Sequence, residues 1–129
     1  MTEQAFETAA AAKVKDIINS IAQGDYDKLS AIAQISDYWC FDGKTQAEGI
    51  REFAEWLQGQ LALWGEEDET EYVIDPFAEE NLELGALEDD YSFTTYNPTS
   101  HGEELELWFE FELSVDENDQ LTAVFNVNV

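Results

Sequence analysis

The sequence predicts an α+β domain: three N-terminal helices packed on a curved antiparallel sheet. Two observations carry that class. Apolar residues recur at helical spacing from about Glu3 to about Trp64, and after Gly65 the period shortens from about 3.6 to 2. A third sets the scale. The chain has 129 residues, 44% of them hydrophobic and 13% aromatic, enough for one domain (residues 1–129) with its own core.

The first helix runs from about Glu3 to Gln23, with Phe6, Ala10, Val14, Ile17, Ile18 and Ile21 on one face. Gly24 ends it, because glycine accepts the left-handed cap conformation. Asp25 caps a short second helix with Tyr26, Leu29 and Ile32 inward. Residues Ile35 to Phe41 read as a strand, since Tyr, Trp, Cys and Phe follow one another without a helical period. Asp42-Gly43 is a turn pair. Thr45-Gln46-Ala47-Glu48 fits the capping box, which satisfies two free donors at a helix start. The third helix then buries Ile50, Phe53, Ala54, Leu57 and Leu61 and stops near Trp64-Gly65.

The β half begins with a strand at Thr70 to Phe77. A bent strand follows from about Asn81 to Tyr96, with Gly85 a candidate bulge. Asn97 to Gly102 is a hairpin loop. Glu103 to Val115 alternates most regularly: Leu105, Leu107, Phe109, Phe111 and Leu113 on one face, Glu104, Glu106, Trp108, Glu110 and Glu112 on the other. Asp116 to Gln120 is a turn. Leu121, Ala123, Phe125, Val127 and Val129 then alternate with Thr122, Val124, Asn126 and Asn128. One face of this sheet must be buried against the third helix, where each Leu or Phe contributes roughly 1.5–3 kcal/mol.

Charge restricts the partners. Thirty acids face five bases, for a formal net charge of −25. Nucleic acid and anionic lipid are repelled by such a surface; a basic protein is attracted. The acids are spread along the chain, as in a surface adapted for solubility or salt. The N-terminal stretch lacks the basic and apolar regions of a signal peptide, and no apolar run approaches the ~18 residues of a membrane span. With Cys40 the single cysteine, no internal disulfide forms, so a cytoplasmic location is expected. One His and one Cys do not make a transition-metal site. Asp116-Glu117-Asn118-Asp119 has a strand where a calcium loop needs its glycine and glutamate. No cofactor is expected.

The order helix, "GDYDKL", short helix, strand, "GKTQAEGIREF" and a curved meander resembles the nuclear transport factor 2-like superfamily, the cystatin-like α+β barrels that include ketosteroid isomerases and polyketide cyclases. The resemblance spans nearly the whole chain. It implies a cone-shaped barrel around a pocket, often a dimer through the outer sheet face, and no particular reaction. For isomerase chemistry it implies a carboxylate base near the end of the strand before the third helix, where Asp42 stands. The partners such a base needs are absent. Ile17 and Ile18 occupy the tyrosine position, and Leu107, Phe109 and Phe111 the inward acid position. Asp42 therefore reads as a turn residue, and no catalysis is expected. The superfamily's epoxide hydrolases need an Asp-Arg-Asp set, but Arg51, the single arginine, points off the apolar face. Its dehydratases use histidine, and His101 sits in a hairpin tip.

What remains is binding. Trp39, Phe41, Trp56, Tyr72, Tyr91, Phe93, Phe109 and Phe125 lie on elements that would surround the superfamily's cavity, as core or as the wall of a pocket for a small apolar or aromatic ligand. Alternation puts either Trp39 with Phe41 or Tyr38 with Cys40 inward. The rival reading is an acidic inhibitor or immunity-type module that covers a basic partner. On the outer sheet face, Trp108 among glutamates, with Thr122, Val124, Asn126 and Asn128 beside it, has an aromatic centre and a polar rim, the anatomy of a homodimer interface.

Overall fold

A computed structural model describes residues 1–129. Three helices come first: α1 (Glu3–Gln23), α2 (Tyr26–Ile32) and α3 (Gln46–Asp68). A five-stranded sheet carries β1 (Gln34–Ile35), β2 (Leu82–Glu83), β3 (Tyr91–Tyr96), β6 (Trp108–Val115) and β7 (Leu121–Asn128) in the order β1-β7-β6-β3-β2. A small hairpin, β4 (Thr99–Ser100) with β5 (Glu103–Glu104), stands apart. The class is α+β, but the sheet is open, with β1 and β2 as its edges, and no closed barrel forms. It is also mixed rather than antiparallel, because β1 runs parallel to β7. No helix is long and apolar enough to cross a membrane.

The helices follow their end signals. Thr2 caps α1 by accepting from Ala5 N–H. Gly24 takes φ 70° and donates to the Ile21 carbonyl, ending α1. Asp25 accepts from Lys28 N–H and opens α2. At α3 both halves of the capping box are made between Thr45 and Glu48. α3 runs past the expected stop to Asp68. Gly65 does not end it; it leaves room for the returning chain, since a Cβ there would lie 2.7 Å from the Thr70 carbonyl oxygen. Glu69, at φ 54°, makes the turn instead.

Two expected strands are absent. The stretch Ile35 to Phe41 is paired only at Ile35. Ser36 then accepts from Tyr38 N–H through its hydroxyl and starts a 3-10 turn at Asp37–Trp39. A local side-chain bond has outcompeted the ladder. The stretch Thr70 to Phe77 is extended but forms no strand. Its N–H groups are satisfied one at a time: Val73 by the Ser100 hydroxyl, Asp75 by the Thr99 carbonyl, Phe77 by the Asn19 side chain; Ala78 just beyond is held by the Tyr96 hydroxyl.

The expected strand from Asn81 to Tyr96 is two strands. Glu83 pairs with Thr95, and Glu88 bridges Tyr91 across Asp89-Asp90, both at positive φ. From Glu83 to Glu88 is five steps and from Thr95 to Tyr91 four, so the first arm carries one extra residue, around Gly85. The Glu103–Val115 strand is interrupted at residues 105–107.

One core lies between the sheet and the helices. Phe53 of α3 meets Phe109 and Phe125 edge to face, at centroid distances of 6.2 and 5.4 Å. Phe109, Phe111, Leu113 and Phe125 are fully buried against Phe6, Ile17, Ile50 and Leu57 of the helices.

Candidate binding groove

Because β1 stops at Ile35, the chain leaves the sheet edge early and puts three aromatic side chains around the C-terminal end of β7. The result is an open groove of about 880 Å³, lined by Tyr38, Trp39 and Phe41, by Glu52 and Trp56 of α3, and by residues 126–129. Trp39 anchors it. Its ring packs edge-on against Phe53 at 5.9 Å and Trp56 at 6.1 Å, and its indole N–H donates to the Asn126 side-chain oxygen at 2.9 Å. Tyr38 and Phe41, by contrast, are well exposed.

Lys44 stands beside the groove, against two of its lining residues. Its ammonium lies 5.0 Å from the Phe41 ring centroid and is paired with the Glu52 carboxylate. Behind it, burial pushes the Cys40 thiol above its ordinary pKa, Asp37 and Glu52 push it further, and Lys44 opposes them weakly. A thiol held protonated is a poor nucleophile.

The groove joins three of the eight aromatics expected at a pocket: Trp39, Phe41 and Trp56. The others lie elsewhere. Phe109 and Phe125 are in the packed core. Tyr72 stands beside Trp64 at 5.9 Å, beyond the far end of α3, with its hydroxyl on the Asp68 carboxylate. Tyr91 and Phe93 face outward on β3, because the buried positions there belong to Ser92, Thr94 and Tyr96. Ser92 donates to the Gly85 carbonyl and Thr94 accepts from Gly85 N–H, so both hydroxyls are satisfied inside.

No protein family, curated protein or solved structure matches this chain.

Other candidates are placed as follows. Asp42 is exposed at φ 60° in the turn with Gly43 and does not line the groove. His101 tips the β4–β5 hairpin, its Nε2 3.0 Å from the Glu71 carbonyl oxygen. Trp108, Thr122 and Val124 share the outer sheet face, joined there by Tyr91 and Phe93. Asn126 shares it too, but its side-chain oxygen is committed to Trp39. Glu52 and Lys44 carry no sequence signal that points to a groove, and Tyr38, which alternation sets against Trp39, lines the groove together with it. Alternation was the wrong rule for a 3-10 turn, on which neighbouring side chains do not split between two faces.

Proposed function

We propose that the chain is an acidic, non-catalytic interaction module that binds a basic partner through the Trp39–Phe41–Trp56 groove. One observation carries this reading. The interior of the sheet is filled by Phe109, Phe111 and Phe125, while Trp39, Phe41 and Trp56 come together in a solvent-open groove. A net charge of −25 draws a basic partner in and makes its association strongly salt-dependent. Membership of the nuclear transport factor 2-like superfamily is part of the proposal and rests on the order of elements.

A second reading has support in the groove's size. About 880 Å³ falls within the range of small-molecule sites, and an apolar or aromatic ligand would find Trp39, Trp56 and Phe41 there.

Tryptophan fluorescence separates the two. The protein is titrated with lysine-rich and arginine-rich peptides bearing one aromatic residue, and with neutral aromatic metabolites, at low and physiological salt. Salt-sensitive peptide binding that weakens in Trp56→Ala supports the first reading. Salt-insensitive binding of the neutral compounds supports the second. No response to either set excludes both.

A further inference from the structure

The groove has a main-chain side. Ser36 N–H donates to the Phe125 carbonyl at 2.8 Å, so the main chain of Phe125 faces β1. Along an antiparallel strand successive residues turn their N–H and C=O to opposite sides. Asn126 therefore faces β6, with which its register partner is Glu110, and Val127 faces the same way as Phe125. Opposite Val127, however, the chain has already turned into Asp37–Trp39. No main-chain or side-chain group of the protein bonds Val127 on that side.

Elsewhere this edge is closed. Ile35, on β1, turns its main chain away from β7, and the Gln46 side chain takes both of its groups: Oε1 accepts from Ile35 N–H at 2.7 Å, and Nε2 donates to the Ile35 carbonyl at 3.1 Å. The sheet edge is thus sealed beside Ile35 and bare beside Val127, and Val127 lines the aromatic groove.

We infer that Val127 and the groove form a strand-addition site, in which an extended basic segment of a partner protein continues the line of β1. Its main chain exchanges hydrogen bonds with Val127 N–H and C=O. Alternate side chains fall on Trp39, Trp56 and Phe41. This inference rests on the interaction-module reading and adds the conformation of the partner. An extended chain is required because a helix satisfies its own main-chain groups and offers none to an edge. A basic one is required by charge. Glu52, which lines the groove, is paired with Lys44, so an incoming lysine or arginine exchanges with Lys44 there, drawn in by a surface with thirty acids and five bases.

The test begins with a random heptapeptide library displayed on phage and panned against the intact protein. The best selected sequence is then synthesised with a fluorescent label. Its affinity is measured by anisotropy for the parent peptide and for a series methylated at one backbone nitrogen each. We expect basic sequences with an apolar residue. Methylation of the one nitrogen that donates to the Val127 carbonyl, on the residue after the one facing Val127 as Ser36 follows Ile35 at Phe125, should weaken binding about tenfold or more, with the nitrogens on either side tolerant. In the same complex, exchange of the Val127 amide should slow by about tenfold or more relative to the free protein. If a basic peptide binds and every methylated version binds equally, strand addition is wrong and the groove reading stands. If the library yields no peptide that prefers the parent protein to Trp56→Ala, both are wrong. Selection of acidic peptides overturns the charge argument. The methylation series uses only the parent protein, so a poorly folded variant does not blunt it.

Discussion

The Gln46 side chain pairs with Ile35 as a neighbouring strand would, accepting from its N–H and donating to its carbonyl. Gln46 is also the first residue of α3, so one amide joins the helix start to the sheet edge. Gln46→Ala leaves two partly buried main-chain groups unpaired. It should cost about 1–3 kcal/mol, read by urea denaturation. A loss below about 0.5 kcal/mol would mean that water replaces the amide fully.

Asp75 locks the β4–β5 hairpin. Its carboxylate accepts from the Thr99 hydroxyl at 2.7 Å, Gly102 N–H at 2.8 Å and His101 N–H at 3.0 Å. Burial pushes its pKa up, but these bonds and the His101 charge outweigh it and hold the group below its ordinary value. A lowered folded pKa means stability that is complete above the unfolded value, about 3.9, and lost as pH falls through the folded one. The stability gap between parent and Asp75→Asn should therefore be widest near neutrality and close below about pH 4. Taking the difference between the two proteins cancels the relief of overall repulsion in acid.

Glycines at close approaches should part from glycines in open helix. A Cβ on Gly85 would lie 2.0 Å from the Phe93 carbonyl oxygen, part of the backbone. Gly85→Ala should cost about 3 kcal/mol. Gly59 sits exposed within α3 with nothing near its missing Cβ. Gly59→Ala should add about 0.5–1 kcal/mol. Thermal melts of the two variants should move in opposite directions.

Few acids have a basic partner: Lys44–Glu52 is the one ion pair between side chains. Self-repulsion therefore opposes the compact state at low ionic strength, and charges more than about 8 Å apart are screened at physiological salt. The melting temperature should rise as sodium chloride is raised from very low to physiological concentration. A flat or falling curve would show bound cations neutralising the surface.

We also propose a two-fold homodimer through the outer sheet face, with Trp108 near its centre. Tyr91, Phe93 and Trp108 are all exposed there. Two glutamates of this face are already engaged, Glu110 by Trp108 Nε1 and Glu112 by the Tyr91 hydroxyl. Light scattering at physiological salt should give a dimer for the parent and a weaker one for Trp108→Ala. A monomeric parent rules the interface out.

The signals legible in the sequence were local. Thr45 with Glu48, Gly24 and Asp25 act within four residues, and each marks the helix end expected of it. The extra residue near Gly85 was legible because only glycine fits against the Phe93 carbonyl. What was not legible depends on distant partners. Nothing near Thr70 to Phe77 says that its N–H groups will go to Asn19, Thr99 and Ser100 rather than to a strand. Ser92 and Thr94 look like surface residues until Gly85 is seen to satisfy both hydroxyls, which sends Tyr91 and Phe93 outward. The groove needed two such facts: the Ser36 hydroxyl ending β1, and Asn126 reaching Trp39 across 87 residues of sequence.

The parallel pairing of β1 with β7 sets the order in which the molecule can be made. Gln34 and Ile35 find their register partners in Val124 and Phe125. On the ribosome, α1 and α2 emerge long before the strand that receives β1. Phe6, Ile17 and Leu29 must then wait, exposed or held by a chaperone, while the rest of the chain is synthesised. Joining residues so far apart in sequence also closes a large loop, which slows folding relative to a helical bundle of this length. The β6–β7 hairpin, joined by the short turn at Asp116–Gln120, is by contrast local in sequence and closes only a short loop.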